Sequence, residues 1–213
     1  MADSPIQKRY VATLLARAHG TVLDVGPGAG DPMFNFKADQ ITRVYGVEPN
    51  VFFHAALRAQ AGENGLKDKY IPLEAGAQPH SLLPALERAG ILPNKHTSLP
   101  EGGVVDTIVA VKALCSVPQQ ELEETVRVFQ ALLKPGGEFL FFEHLGNRED
   151  RLAWWYAWLL NFVWPAVLGG CQLDGELDQL VRGTPGWECE VKNIDEFEGH
   201  EVFRFATGVC RKR

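Results

Sequence analysis

The stretch that most constrains this chain is Thr21 to Gly30, TVLDVGPGAG. Apolar residues flank Asp24 and run directly into glycines at 26, 28 and 30, so a short buried strand ends in a turn without side chains. Such a turn is built to bind something. A ligand packed against backbone at the carboxyl end of a strand leaves no room for a Cβ, and glycine adopts positive φ at little cost. The next acidic strand end is Glu48 in RVYGVEPN, eighteen residues beyond Gly30. That is about where a nucleotide-binding βαβ unit places the carboxylate that holds a ribose.

The rest of the chain repeats this alternation. Helical spacing predicts a first helix from Ser4 to Ala18, with Ser4 as cap and Pro5 in the first turn. Asp31-Pro32 opens a short helix, and Pro49-Asn50 opens another that carries Phe52, Phe53, Ala56 and Leu57 to about Ala61. Strands are expected at Arg43 to Glu48, Lys69 to Glu74, Val104 to Val111 and Glu138 to Glu143. A helix from Pro79 to Leu86 is followed by a loop to Gly103, and an amphipathic helix from Gln119 to Leu133 stops at Pro135-Gly136-Gly137. Near the end come a helix from Gln172 to Val181 and strands Trp187 to Asn193 and Val202 to Val209. The connection between those strands suits an antiparallel hairpin and is too short for a crossover. The expected fold is α/β, a Rossmann-like and mostly parallel sheet with a C-terminal antiparallel hairpin, and its ligands belong at the carboxyl ends of the parallel strands.

At 213 residues the chain has length for one full core, and it reads as a single domain, 1–213. The net charge of −6 argues against nucleic acid, since the only basic run is Arg211 to Arg213. Cys115, Cys171, Cys189 and Cys210 contain no CxxC pair, so neither a zinc site nor a disulfide framework is expected, and no metal is assigned. A reduced, cytoplasmic protein is the simple expectation, because the N-terminus carries Lys8, Arg9 and Arg17 and lacks a secretory apolar core. Leu152 to Leu168 is nearly uncharged. Asn161, Pro165 and the tryptophans argue against a spanning helix, so a buried cap helix is favoured and contact with a membrane surface is the secondary reading.

With VLDVGPGAG, GVEPN, VVDTIVAV and LLKPGGEFLFFEH in this order, the chain resembles the class I S-adenosylmethionine-dependent methyltransferases, strongly from Val22 to about Leu145. The resemblance implies a seven-stranded methyltransferase sheet and S-adenosyl-L-methionine as cofactor. Asp24, Gly26, Gly28 and Gly30 would lie at its amino-acid part, Glu48 on the ribose hydroxyls, and Ala77 and Gln78 at the adenine. ALCSV at 113 to 117, FFEH ending at His144 and the tryptophan-rich stretch up to Gly170-Cys171-Gln172-Leu173 are closest to the small methyltransferase-like and thiol S-methyltransferase subgroup. Two departures stand out. The acid often found after the third strand is replaced by Gln78, which can accept from adenine only through its carbonyl, and the N-terminal membrane anchor of some relatives is absent from this sequence.

Lys112, after the fourth strand, is read with the cofactor residues, and the acceptor side is read from Cys115 just beyond it, His144 after the fifth strand, Tyr10 in the first helix, and Trp154, Trp155 and Trp158 in an aromatic cap at about 150–182. His144 is the candidate base or orienting group, since a neutral imidazole there can take a proton from an acceptor. Cys115 has no adjacent activating base in sequence and reads as a small buried side chain. Methyl transfer asks mainly for alignment and exclusion of water. A thiol is already partly ionised near neutral pH, so S-methylation of a small apolar or aromatic molecule is expected ahead of O-methylation. The alternatives are a methyltransferase fold that binds its ligand without transfer, as a pericyclase-like or dehydratase-like enzyme or a regulatory binder, and, more remotely, a dinucleotide dehydrogenase.

Overall fold

The computed structural model describes residues 4–93, 99–147, 149–167, 170–173, 175–194 and 204–213. Seven strands form one sheet: β1 (Gly20–Val25), β2 (Ile41–Val47), β3 (Tyr70–Leu73), β4 (Val105–Val111), β5 (Leu133–Leu145), β6 (Trp187–Ile194) and β7 (Arg204–Lys212), in spatial order β3-β2-β1-β4-β5-β7-β6. The first five run parallel and β7 pairs antiparallel with both β5 and β6, as the sequence predicts. The order reverses at β1, so the crevice between the ends of β1 and β4 is the switch point where such sheets bind ligands.

Helices cover both faces: α1 (Pro5–Leu15), α2 (His54–Glu63), α3 (Pro79–Arg88), α4 (Gln119–Leu132), α5 (Arg151–Leu160), α6 (Trp164–Val167) and α7 (Leu177–Gly183). α1 begins with a capping box, in which the Gln7 N–H donates to the Ser4 hydroxyl and the Ser4 N–H to the Gln7 side-chain carbonyl, each at 3.2 Å. Alternation along β5 divides the core. Phe139 and Phe141 pack with Leu122, Val126 and Phe129 of α4, while Leu140 and Phe142 pack with Val11 and Leu14 of α1 and Leu57 of α2.

Several boundaries differ from expectation. The helix opened by Asp31-Pro32 is a single 3₁₀ turn, Asp31–Asn35, and the one opened by Pro49-Asn50 begins as a 3₁₀ turn, Val51–Phe53, with Phe52 and Phe53 exposed, before α2. The Pro135-Gly136-Gly137 break falls inside β5, where pairing shifts from Val105↔Leu133 to Thr107↔Glu138. α7 starts at Leu177, five residues after the expected Gln172. The hairpin connection falls largely on residues 195–203, outside the described residues.

Two corrections bear on function. Cys189 and Cys210 stand opposite one another in the β6–β7 ladder and form a disulfide, so the expectation of a fully reduced chain fails there. Strand register, invisible in a separation of 21 residues, brings them together. The aromatic segment is not a buried cap. In α5 only Ala153 and Ala157 are buried, while Trp154, Trp155 and Trp158 are 44, 56 and 47% exposed.

One glycine within a strand has a specific purpose. The Tyr70 hydroxyl reaches across β2 to donate to Asp24 Oδ2 at 2.9 Å, and a Cβ on Gly46 would lie 2.3 Å from that hydroxyl oxygen. Substituting Gly46→Ala therefore displaces the ring from Asp24. A stability loss of about 1–3 kcal/mol is expected from this overpacking, read as a lower urea midpoint in equilibrium unfolding.

Candidate cofactor and acceptor site

The glycine turn forms because a parallel strand ends where neighbouring turns need space. Gly26 and Gly28 have φ of +64° and +57°, and a Cβ on Gly26 would come within 2.5 Å of the Ala113 methyl in the turn after β4. Nothing lies within 4 Å of a Cβ built on Gly28, so that side of the turn is open. The Gly26 N–H donates to the Val47 carbonyl at 2.9 Å, which locks the turn to the end of β2.

Glu48 completes this lock. Its Oε2 accepts the Gly28 N–H at 3.0 Å and its Oε1 the Asn50 N–H at 2.8 Å, so one buried carboxylate joins the turns after β1 and β2. A carboxylate has about four lone-pair sites, so two remain for the hydroxyls of a ribose. His54, to which the sequence assigns no site role, places Nε2 2.9 Å from the Glu48 carbonyl and steadies the same corner. Its position at the start of α2, six residues after Glu48, is the signal that could have revealed it.

A cleft of about 500 Å³ opens between these turns. Gly26, Glu48, Ala77, Gln78 and Lys112 line it together with Ala113 and Ser116, so five of the predicted cofactor residues meet there. The Ser81 hydroxyl accepts the Gly76 N–H at 2.8 Å, and a Cβ on Gly76 would lie 2.5 Å from Gln78 Oε1, so the glycine leaves the space that the Gln78 carbonyl occupies. Asp24 sits beneath the glycine turn with its carboxyl on Tyr70. Burial raises its pKa from 3.8 to about 7, against the downward pull of the Tyr70 hydroxyl. Gly30, with φ of +90°, packs toward Leu57 and acts on the turn from behind.

The far end of the cleft is set by Lys112, the one described non-glycine residue with positive φ, at 55°. Its N–H donates to the Phe142 carbonyl at 2.8 Å, and its ammonium lies 5.9 Å from the centre of the Phe205 ring. His144 is buried, the next-to-last residue of β5, and its ring meets Phe205 edge-on at 5.6 Å between centroids. Its neighbour Glu143 faces the other way, into the turn after β4. Glu143 Oε1 accepts the N–H groups of Ala113 and Leu114, each at 2.8 Å, and so holds the wall of the cleft. Burial raises the Glu143 pKa from 4.5 to about 7, opposed by the amides of Leu114, Ala113 and Cys115 and by Lys112. Sequence reading passed over this residue in favour of His144, although strand alternation alone sends adjacent residues to opposite faces.

Not every predicted residue joins the site: His144 is not among the residues that line the cleft, and its ring packs on Phe205 on the opposite face of β5 from Glu143. Tyr10 lines a separate groove between α1 and the terminal hairpin, where the Lys192 ammonium donates to its hydroxyl at 2.9 Å. Trp154, Trp155 and Trp158 project from α5 toward solvent, while Cys115 lies in the 3₁₀ turn Leu114–Ser116 that borders the cleft. No group of three or more potential metal-ligating side chains occurs among the described residues.

The doubly wound sheet, the glycine turn, the carboxylate of Glu48 and the cleft at the switch point are the architecture expected of the class I S-adenosylmethionine-dependent methyltransferases. Residues 5–175 match the methyltransferase domain family, and the chain belongs to it. It is 32% identical to the human thiol S-methyltransferase TMT1A over 162 residues, 73% of this chain and 55% of that protein, and 33% identical to human TMT1B over 94 residues, 42% of this chain and 36% of that one. The matched regions thus span about half or less of these relatives. Among solved structures, a geranyl diphosphate methyltransferase in complex with S-adenosylmethionine superposes with a TM-score of 0.65 at 13% identity, covering 98% of this chain and 85% of that one. The [4+2]-cyclase SpnF gives 0.65 at 18% identity, covering 96% and 79%. Both share the fold. The family's cofactor is S-adenosyl-L-methionine.

The raised pKa of Glu143 carries a pH signature. The folded state binds more protons than the unfolded state between the ordinary value of 4.5 and about 7, so stability is highest below that window and falls through it as pH rises. Replacing Glu143→Gln keeps a carbonyl for the two amides and removes the titration. Urea unfolding across this range should show a shallower fall for the variant than for the parent.

Proposed function

We propose that this chain transfers a methyl group from S-adenosylmethionine to a small apolar or aromatic acceptor, with a thiol sulfur favoured over oxygen. The observation that carries the thiol preference is relatedness to the thiol S-methyltransferases, at 32% identity over 73% of the chain. The site's chemistry supports it. His144 is the one imidazole at the end of β5, and a thiol needs less help from a base than a phenol does.

The cleft fits the cofactor by its donor set: Glu48 has free lone pairs for two hydroxyls, Gln78 offers a carbonyl to an exocyclic amine, and Gly28 leaves open backbone for the amino-acid part. When bound, S-adenosylmethionine supplies an electrophilic methyl carbon on a sulfonium. Gly26, Gly28, Ala77, Gln78 and Glu48 then bind and orient it, with Asp24 supporting the turn from below. Lys112 and the turn held by Glu143 shape the wall beyond. His144 orients the acceptor or takes its proton, and Cys115 borders that end.

Binding and turnover test separate parts of this reading. Glu48→Ala should weaken S-adenosylmethionine binding about tenfold or more in calorimetry, because charge-assisted hydrogen bonds are lost and the glycine turn is released. Incubation with labelled cofactor and a panel of thiols and phenols should label thiols first. Binding without transfer to any acceptor would favour the non-methylating alternative. His144→Ala should lower kcat about a hundredfold at saturating acceptor, and an unchanged kcat would remove His144 from catalysis.

A further inference from the structure

The exposed large apolar side chains among the described residues all lie at the carboxyl edge of the sheet, on three segments. These are Phe34 in the turn after β1, Val51–Phe53 after β2, with Phe52 89% exposed, and α5 with Phe162 and Val163 after β5. Leu152, Trp155, Tyr156 and Leu159 recur at helical spacing on the outer side of α5, away from the buried Ala153 and Ala157. Trp158 extends this surface by meeting Phe162 edge-on at 5.1 Å between ring centroids. At about 150–250 Å² per aromatic side chain, these half-exposed rings and their aliphatic neighbours leave on the order of 800 Å² of apolar surface. The largest such patch on a typical monomer is about 300–600 Å². No Asp, Glu, Lys or Arg interrupts the sequence from Leu152 to Val167. The opposite edge of the sheet is charged: Lys134 pairs with Asp106, and Arg17 and Arg211 both pair with Glu138.

We propose that this edge docks on a zwitterionic lipid surface, with α5 as the main contact and Phe34 and Phe52 beside it, so that the cofactor cleft opens toward the lipid. The side chains themselves select this occupant. Trp and Tyr carry an apolar body and one polar tip, which suits the boundary between headgroups and acyl chains. The layout agrees. The turns after β2, β1 and β5 follow strands that span three sheet spacings, about 14 Å. A flat surface meets all three segments at once, whereas a two-fold contact of α5 with a second copy leaves Phe34 and Phe52 in water. Charge then selects the lipid: Asp31, Glu149 and Asp150 flank these segments against Arg151, so an anionic surface gains nothing from them. The cleft lined by Gly26, Glu48 and Lys112 lies at the same edge. Docking stands on the surface alone, and entry of an apolar methyl acceptor from the lipid rests on the proposed function.

The full chain, without S-adenosylmethionine, is mixed with phosphatidylcholine vesicles and separated by flotation. A second set of vesicles carries brominated acyl chains, which quench tryptophan fluorescence on contact. The chain is expected to float with the vesicles and to lose about half of its emission to the brominated lipid, since three of its five tryptophans lie on α5. Trp155→Ser combined with Leu159→Ser should weaken vesicle binding about tenfold or more, and Phe52→Ser about threefold or more. Quenching of the parent chain requires no substitution, so a poorly folded variant does not obscure the result. A parent chain that stays unbound and unquenched, an unweakened Trp155→Ser/Leu159→Ser variant, or binding confined to vesicles containing phosphatidylserine would overturn the proposal. So would a dimer in sedimentation that those substitutions dissociate and vesicles leave intact. Docking without methylation of any thiol would leave this surface standing and remove the thiol reading, and methylation without docking would do the reverse.

Discussion

Buried carboxylates at the carboxyl edge of the sheet hold the functional end of this protein in shape. Parallel strands deliver all their following turns to one edge, and the N–H groups of those turns need acceptors that a strand ladder does not provide. Glu48 takes amides from the turns after β1 and β2, and Glu143 takes amides from the turn after β4. Asp24 meets the Tyr70 hydroxyl beneath the glycine turn. All three are less than a tenth exposed.

The energetic consequence differs among them. Asp24 and Glu143 lose more to burial than their partners return, so both are raised to about 7, and the folded state there favours the neutral acid. Carboxyls poised in this range make the walls of the cleft responsive to pH. The strained backbone at Lys112 lies between these anchored turns, where its cost is offset by the N–H bond to Phe142 and by the packing of Ala113 against Gly26.

α5 reverses the usual economy of an amphipathic helix. Small residues face the protein and tryptophans face outward, with Asp150 capping the start through the N–H groups of Leu152 and Ala153. No described helix is long and apolar enough to cross a membrane. The aromatic outer surface is therefore a property of how α5 docks, which composition and periodicity alone do not reveal, because the same tryptophans would suit an inward-facing lid.

Local sequence was enough for the parallel strands, the glycine turn and the carboxylate at Glu48, because each depends on short-range patterns: alternation, glycine at positive φ, and a fixed spacing to the next strand end. The antiparallel terminal pair was legible for the same reason, from the length of its connection. Tertiary structure alone decided which face of β5 each residue occupies, and so placed Glu143 instead of His144 against the turn after β4. It likewise paired Cys189 with Cys210, brought Gln172 to the Cys115 carbonyl and moved Tyr10 to another groove. Those outcomes depend on strand register and on where distant segments dock, and such long-range choices are made by packing the whole core, which no single stretch of the chain encodes.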